Sequence, residues 1–173
     1  MEGPYGAGEV FQGFGGATAT VVANPNQTGL NTSPNVLEII KGPPELFAGM
    51  EFVYAVPIPA GSFGATGTTP YVCFDYYTDA PVGSPISLKF ELNTNCCAPL
   101  EVENTTVSGE WGQVCFTPPA GFENRIKPVI IFRNGQQGDG SDDFTLYVDN
   151  IDLYSTPPVT PPTQNDLTLP ITF

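Results

Sequence analysis

The 173-residue sequence contains no histidine, and this removes most nucleophilic chemistry at once. A serine or cysteine nucleophile needs an adjacent base, so the Ser-His and Cys-His arrangements are ruled out. Acid–base work would fall to the 18 Asp and Glu residues. Cleavage of a glycosidic bond needs two carboxyl groups facing each other across a cleft. No motif in the chain singles out such a pair. We assign no catalytic residue and expect a chain that is not an enzyme.

Oxygen-rich, histidine-free chains suit calcium better than zinc. Gly138 to Asp143, GDGSDD, has the composition of a calcium loop, without EF-hand spacing or its terminal Glu. A flexible acidic turn is the simpler reading. Four cysteines stand at Cys73, Cys96, Cys97 and Cys115, without the spacing of a zinc site. Two disulfides formed in an oxidising compartment are expected. A bond between the neighbours Cys96 and Cys97 would be strained, so each is expected to pair with one of Cys73 and Cys115, in either order. Three Asn-X-Ser/Thr sequences, at Asn26, Asn31 and Asn104, lie in polar loop or turn segments where N-glycans can be tolerated.

Gly and Pro number 19 each, and both punctuate helices while being tolerated between short strands. The best local helix candidate, Asn35 to Lys41, is short and stops at Gly42-Pro43-Pro44. The class is therefore all-β. Strands are expected over residues 17–23, 36–40, 52–58, 71–77, 86–92, 113–117, 128–133 and 144–154. In the fifth of these, Ile86, Leu88, Phe90 and Leu92 alternate with Ser87, Lys89 and Glu91. Turn signals separate the strands, among them Asn134-Gly135 and Pro118-Pro119-Ala120-Gly121. Many short strands so spaced read as a sandwich or jelly roll. In the last strand the apolar phase shifts from Phe144, Leu146 and Val148 to Ile151 and Leu153, and a bulge near Asp149-Asn150 would produce that shift.

A formal net charge of −13 argues against nucleic acid, which needs clustered Lys and Arg, and against anionic membrane surfaces. No apolar run is long enough to span a bilayer, so membrane insertion is not expected. Met1 to Gly8 has neither a basic nor an apolar stretch, so no signal peptide is read there. The expectation is a secreted chain whose leader was removed, or a piece of something longer.

After Tyr154 the composition changes. Residues 155–166, STPPVTPPTQND, hold four prolines and read as a polyproline-type spacer, about 37 Å if fully extended. Thr156, Thr160 and Thr163 stand near prolines, as in O-glycosylated stalks. Residues 167–173, LTLPITF, alternate Leu167, Leu169, Ile171 and Phe173 with Thr168, Pro170 and Thr172. This is a strand pattern with one apolar face, and Pro170 confines it to a sheet edge. Such a strand is a liability if left free in water. The organisation expected is a domain over 1–154, a linker over 155–166 and a docking strand over 167–173.

Several segments, taken together, resemble a family. These are Phe14-Gly15-Gly16-Ala17, the run Asn24-Pro25-Asn26-Gln27-Thr28-Gly29-Leu30-Asn31-Thr32-Ser33, and the Val36 strand. Phe47-Ala48-Gly49, the Ile86-to-Leu92 strand, Trp111 leading into Cys115-Phe116, and Tyr147-Val148-Asp149-Asn150-Ile151 extend the set. Over most of residues 10–154 the chain resembles the jelly-roll, carbohydrate-binding-module-like β-sandwich domains of secreted proteins from aquatic microbes, often found in tandem repeats. The resemblance implies a structural calcium between a Glu of the first strand and an Asp of the last, by position Glu2 and Asp149, with Asp152 as a further candidate. Sugar binding would use exposed aromatic residues; among Trp111, Tyr54, Tyr71, Tyr76 and Tyr77, we single out Trp111 and Tyr76.

In that family the domain often opens with a strand resembling ITFE. Here Ile171-Thr172-Phe173 stands at the far end and Glu2 near the start. Joining the end of one copy to the start of the next gives LPITF followed by MEGPYG, close to the family's opening but for one extra Met. The sequence thus reads as one period of a tandem polypeptide or as a subunit that lends its last strand to a neighbour, head to tail. An arm folding back on its own domain is the third outcome. Strand donation that does not close on itself generates filaments. The expected function is that of an extracellular, non-catalytic structural unit joined head to tail, with a carbohydrate-binding module as the alternative.

Overall fold

The computed structural model describes residues 10–40, 49–53, 71–91, 100–117, 129–134 and 144–154. They form ten strands and, among the described residues, no helix. In chain order these are β1 (Val10–Phe14), β2 (Thr18–Ala23), β3 (Asn35–Ile40), β4 (Gly49–Val53), β5 (Tyr71–Tyr77), β6 (Pro85–Glu91), β7 (Leu100–Asn104), β8 (Trp111–Phe116), β9 (Val129–Asn134) and β10 (Thr145–Tyr154). Two five-stranded antiparallel sheets result, one ordered β1-β4-β9-β6-β7 and the other β2-β3-β10-β5-β8. We refer to them as the first and second sheet. Read side by side, the two orders place sequence neighbours in matching positions: β1 with β2, β4 with β3, β9 with β10, β6 with β5, and β7 with β8. The chain therefore passes repeatedly from sheet to sheet, which is the wiring of a jelly roll.

Alternation sets the core. Leu37 and Ile39 of β3, Val72, Phe74 and Tyr76 of β5, Val114 and Phe116 of β8, and Leu146 and Val148 of β10 point inward from the second sheet. Met50, Ile86 and Leu88 meet them from the first. The rings of Phe74 and Phe116 stack with centroids 5.7 Å apart. The expected phase shift in β10 is present: its register against β5 slips between Asp149 and Asp152, and Asn150 has φ 48°. Ile151 thereby returns to the core after Val148, while Asp149 stays on the opposite face.

Two expectations require correction. The strand expected over 36–40, in preference to a helix over Asn35 to Lys41, is β3, but the expected set of strands lacked β1 and β7. The disulfide joins Cys73 to Cys115, not either of them to Cys96 or Cys97. The reason is register: Cys73 and Cys115 are directly opposed partners on the adjacent strands β5 and β8, with Cα atoms 4.0 Å apart. Cys96 and Cys97 lie outside the described residues, as do the arm over 155–166 and the segment over 167–173.

Candidate functional site

The second sheet has a face turned away from the core, and its cross-strand pairs define rows of side chains. One row runs Thr20, Glu38, Tyr147, Tyr77, Trp111, from one edge strand to the other. These residues share a face because each is one step out of phase with the buried positions beside it, such as Leu37, Leu146 and Tyr76. The Tyr77 ring lies 5.7 Å from that of Trp111, tilted by 51°, and 5.8 Å from that of Tyr147, nearly edge-on. Three aromatic rings thus stand in a line, with Tyr77 and Tyr147 half-buried and Trp111 buried.

Carboxylates border the line. The Tyr77 hydroxyl donates to Asp79 Oδ1 at 3.4 Å, and the Tyr147 hydroxyl bonds the side chain of Glu38, its registered partner on β3. Both phenols are held above their ordinary pKa. For Tyr77 burial comes first, then the charge of Asp79 and its hydrogen bond. For Tyr147 burial again leads, followed by the hydrogen bond and charge of Glu38. Each cause disfavours the phenolate, so both groups are neutral hydroxyls throughout the physiological range.

The next row is polar, with its two carboxylates buried and its amide half-buried. Asp149 and Asp75 are opposed partners on β10 and β5, with Gln113 beyond on β8. Asp75 accepts from Asn150 Nδ2 at 2.7 Å and from Gln113 Nε2 at 3.3 Å. Asp149 accepts from Asn31 Nδ2 at 2.8 Å and from the Asn150 N–H at 2.9 Å. Such groups are affordable inside a protein only when paired in this way.

The loop over residues 24–34, the Asn- and Thr-rich run of the sequence, walls this face. Asn24 Oδ1 accepts from the Asn26 N–H at 2.8 Å, and its Nδ2 donates to the Ser33 carbonyl, also at 2.8 Å. Asn31 Oδ1 accepts from the Ser33 N–H at 2.8 Å. These short side-chain-to-backbone bonds shape the loop from within. Its Asn26 carbonyl accepts from Trp111 Nε1 at 2.7 Å, linking positions 85 apart in sequence. The loop leaves β2 at one edge of the sheet and touches β8 at the other.

Of the two residues singled out as exposed sugar-binding aromatics, Trp111 lies on this face but is buried, 7 % exposed, against the loop whose Asn26 carbonyl it bonds, and Tyr76 does not lie on it. Tyr76 is fully buried in the core, and its hydroxyl accepts from the N–H groups of Thr106 and Val107 at 2.7 and 3.2 Å. The correction follows from period two: Tyr76 is in phase with Val72 and Phe74, and Tyr77 is not. Tyr77 was among the wider set of aromatic candidates. Tyr147 and Glu38 were missed, although their strands had been recognised and their alternation pointed to this face. Tyr71 is half-buried at the far end of β5.

The expected glycosylation sites also separate. Asn31 is 1 % exposed, contrary to its reading as part of a tolerant polar loop, because the loop turns it inward onto Asp149. Asn26 is half-buried and Asn104 exposed. Thr156, Thr160, Thr163, Tyr54, Gly138 to Asp143 and the strand residues Leu167, Leu169, Ile171 and Phe173 lie outside the described residues.

The same is true of Glu2 and of the Asp152 side chain, two of the three residues expected at a calcium ion. Among the described residues no three acidic or other metal-ligating side chains come together. Asp149 sits at the bulge, wholly buried, and each of its oxygens accepts one of the hydrogen bonds given above.

No protein-family model matches the sequence, and no curated protein sequence does. Solved structures do match in fold. An exo-β-agarase superposes with TM-score 0.59 at 13 % identity, over 88 % of this chain and 24 % of the agarase chain. The tandem CBM22 domains of Paenibacillus barcinonensis Xyn10C give TM-score 0.52 at 19 % identity, over 84 % of this chain and 46 % of that one. The enzymatically active domain of tailspike protein 4 from bacteriophage CBA120 gives 0.50 at 15 % identity, over 85 % and 19 %. The chain spans less than half the length of each of these three. At such identities the likeness is one of fold, and the chain has the jelly-roll β-sandwich fold that carbohydrate-binding modules share.

Proposed function

We propose that the domain is an extracellular, non-catalytic module that binds polysaccharide on the outer face of its second sheet. The observation that carries the reading is the pair of half-buried rings Tyr77 and Tyr147, backed by the buried Trp111 and bordered by Glu38 and Asp79. Aromatic rings offer apolar faces to the C–H faces of sugar rings, while phenols, carboxylates and amides supply the hydrogen bonds that orient hydroxyl groups. Gln113 and Asn150, both half-buried beside the row, add amide groups of the same kind. The likeness in fold to the tandem CBM22 domains of Xyn10C supports the reading. So does the absence of histidine, which leaves the chain without the commonest acid–base group. The Cys73–Cys115 disulfide suits an oxidising, extracellular setting.

Neutral polysaccharides are the expected ligands, because a chain of net charge −13 with carboxylates beside its aromatic row repels anionic ones. Affinity electrophoresis through gels containing neutral or acidic polysaccharides tests this. Retardation only by neutral glycans is expected, and unchanged mobility in all of them would refute it. Calcium at Glu2 and Asp149 belongs to the same proposal as a structural ion tying the N-terminal segment to the β10 bulge. A fall in Tm on chelation is its test.

A second reading concerns assembly. Residues 167–173 carry an alternating apolar pattern beyond a proline-rich spacer, and β1 and β2 stand at sheet edges on one side of the sandwich. A strand lent by one copy to the next at such an edge would give a head-to-tail fibril. Negative-stain microscopy of the full chain and of a chain lacking residues 167–173 tests it. Fibrils from the first and monomers from the second are expected, and fibrils from the truncated chain would refute it.

A further inference from the structure

The asparagines of the three Asn-X-Ser/Thr sequences carry an inference independent of sugar binding. A glycan attaches at Nδ2, so the surroundings of that atom decide whether the folded domain tolerates it. At Asn31, Nδ2 donates to Asp149 Oδ2 at 2.8 Å, in a residue 1 % exposed. A sugar there would displace the buried carboxylate's partner and open the wall of the site. Asn26 is half-buried, accepts from the Thr28 hydroxyl at 2.6 Å, and holds Trp111 through its carbonyl. Asn104 stands apart from both. It is exposed, ends β7 at the edge of the first sheet, and is paired through its backbone with Pro85. Exposed Glu103 precedes it, and Thr106, beyond the buried Thr105, is exposed as well.

We infer that Asn104 is an N-glycan acceptor of this fold and that Asn31 is not. The transfer uses a polyprenyl-diphosphate-linked oligosaccharide as donor. Asn104 Nδ2 attacks the anomeric carbon, a C–N bond forms as the C–O bond to diphosphate breaks, the amide loses a proton, and the lipid diphosphate departs. The glycan then covers the end of an edge strand whose glutamates already oppose pairing with another sheet. Strand addition is thereby opposed at the β7 edge of the first sheet.

The test is secretion of the full chain from a eukaryotic host, followed by enzymatic deglycosylation in heavy-oxygen water and peptide mass mapping. The Asn104 peptide is expected to carry the isotopic label and the Asn31 peptide to lack it. Asn104→Gln should remove the mass of one glycan and leave the fold intact by circular dichroism. An unlabelled Asn104 peptide in the secreted protein, or a labelled Asn31 peptide, would overturn the inference.

Discussion

Tyr147 and Tyr77 stand directly opposite each other on β10 and β5, ring centroids 5.8 Å apart, and each phenol is tied to a carboxylate, Glu38 for one and Asp79 for the other. Both pKa values are raised, first by burial and then by those acids. The folded state therefore holds these protons longer than the unfolded chain does. The stability they contribute is complete below the ordinary tyrosine pKa of about 10 and is lost as pH rises through the folded values. Polysaccharide retention and Tm should both be flat through neutral and mildly alkaline pH and fall beyond about pH 10. Affinity electrophoresis and thermal melts over that range check it; a drop in retention near pH 8 would implicate another group.

Tyr76 and Gly112 form a packing pair. A Cβ built on Gly112 would lie 2.7 Å from the Tyr76 hydroxyl and from the Val107 side chain, so the absence of a side chain makes room for the buried phenol. Tyr76→Phe leaves the Thr106 and Val107 N–H groups without their acceptor and should cost about 1–3 kcal/mol. Gly112→Ala should destabilise as well, since the phenol it strikes is fixed in the core. Denaturant titration measures both, and Tyr76→Phe should keep its polysaccharide retention because Tyr76 faces away from the proposed site.

Asn31 joins the wall of the site to the sheet. Asn31→Ala removes the Nδ2 bond to Asp149 and the Oδ1 acceptor of the Ser33 N–H. A loss of about 2–3 kcal/mol is expected, as for a buried carboxylate deprived of one partner. Because the same loop binds Trp111, retention should weaken along with stability. Melts and affinity electrophoresis of one variant read both effects, and a stable variant with normal retention would show that the loop plays no part in binding.

The Cys73–Cys115 bond closes a loop with a sequence separation of 42. In the chain-entropy account a closure of that size stabilises by about 4 kcal/mol. Reduction, or Cys73→Ala with Cys115→Ala, should lower the unfolding free energy by that order. A non-reducing peptide map should recover Cys73 linked to Cys115; a peptide joining either to Cys96 or Cys97 would contradict the pairing.

Much of the sandwich was legible because burial follows period two. The strand over 71–77 was placed to the residue, and the change of phase between Val148 and Ile151 announced the bulge. What escaped had weaker local signals. In β7, LEVEN, Leu100 and Val102 alternate with glutamates, but three polar residues in five hide a strand that needs only one apolar face at a sheet edge. In β1, VFQGF, a glycine interrupts a segment that its pairing with β4 completes. Disulfide pairing could not be read from spacing, because it depends on which strands become neighbours. The site was half legible for the same reason. Trp111 stood out by type, while Tyr147 and Glu38 acquire meaning only once β10 lies between β3 and β5.

The most direct test of the account is quantitative retention of the full chain and of Tyr77→Ala, Tyr147→Ala and Tyr76→Phe variants on a panel of neutral polysaccharides. The account predicts that at least one glycan retains the parent chain, that each alanine variant binds it at least about tenfold more weakly, a loss of about 1.4 kcal/mol, and that Tyr76→Phe binds like the parent. Equal retention of the parent and both folded alanine variants would contradict it.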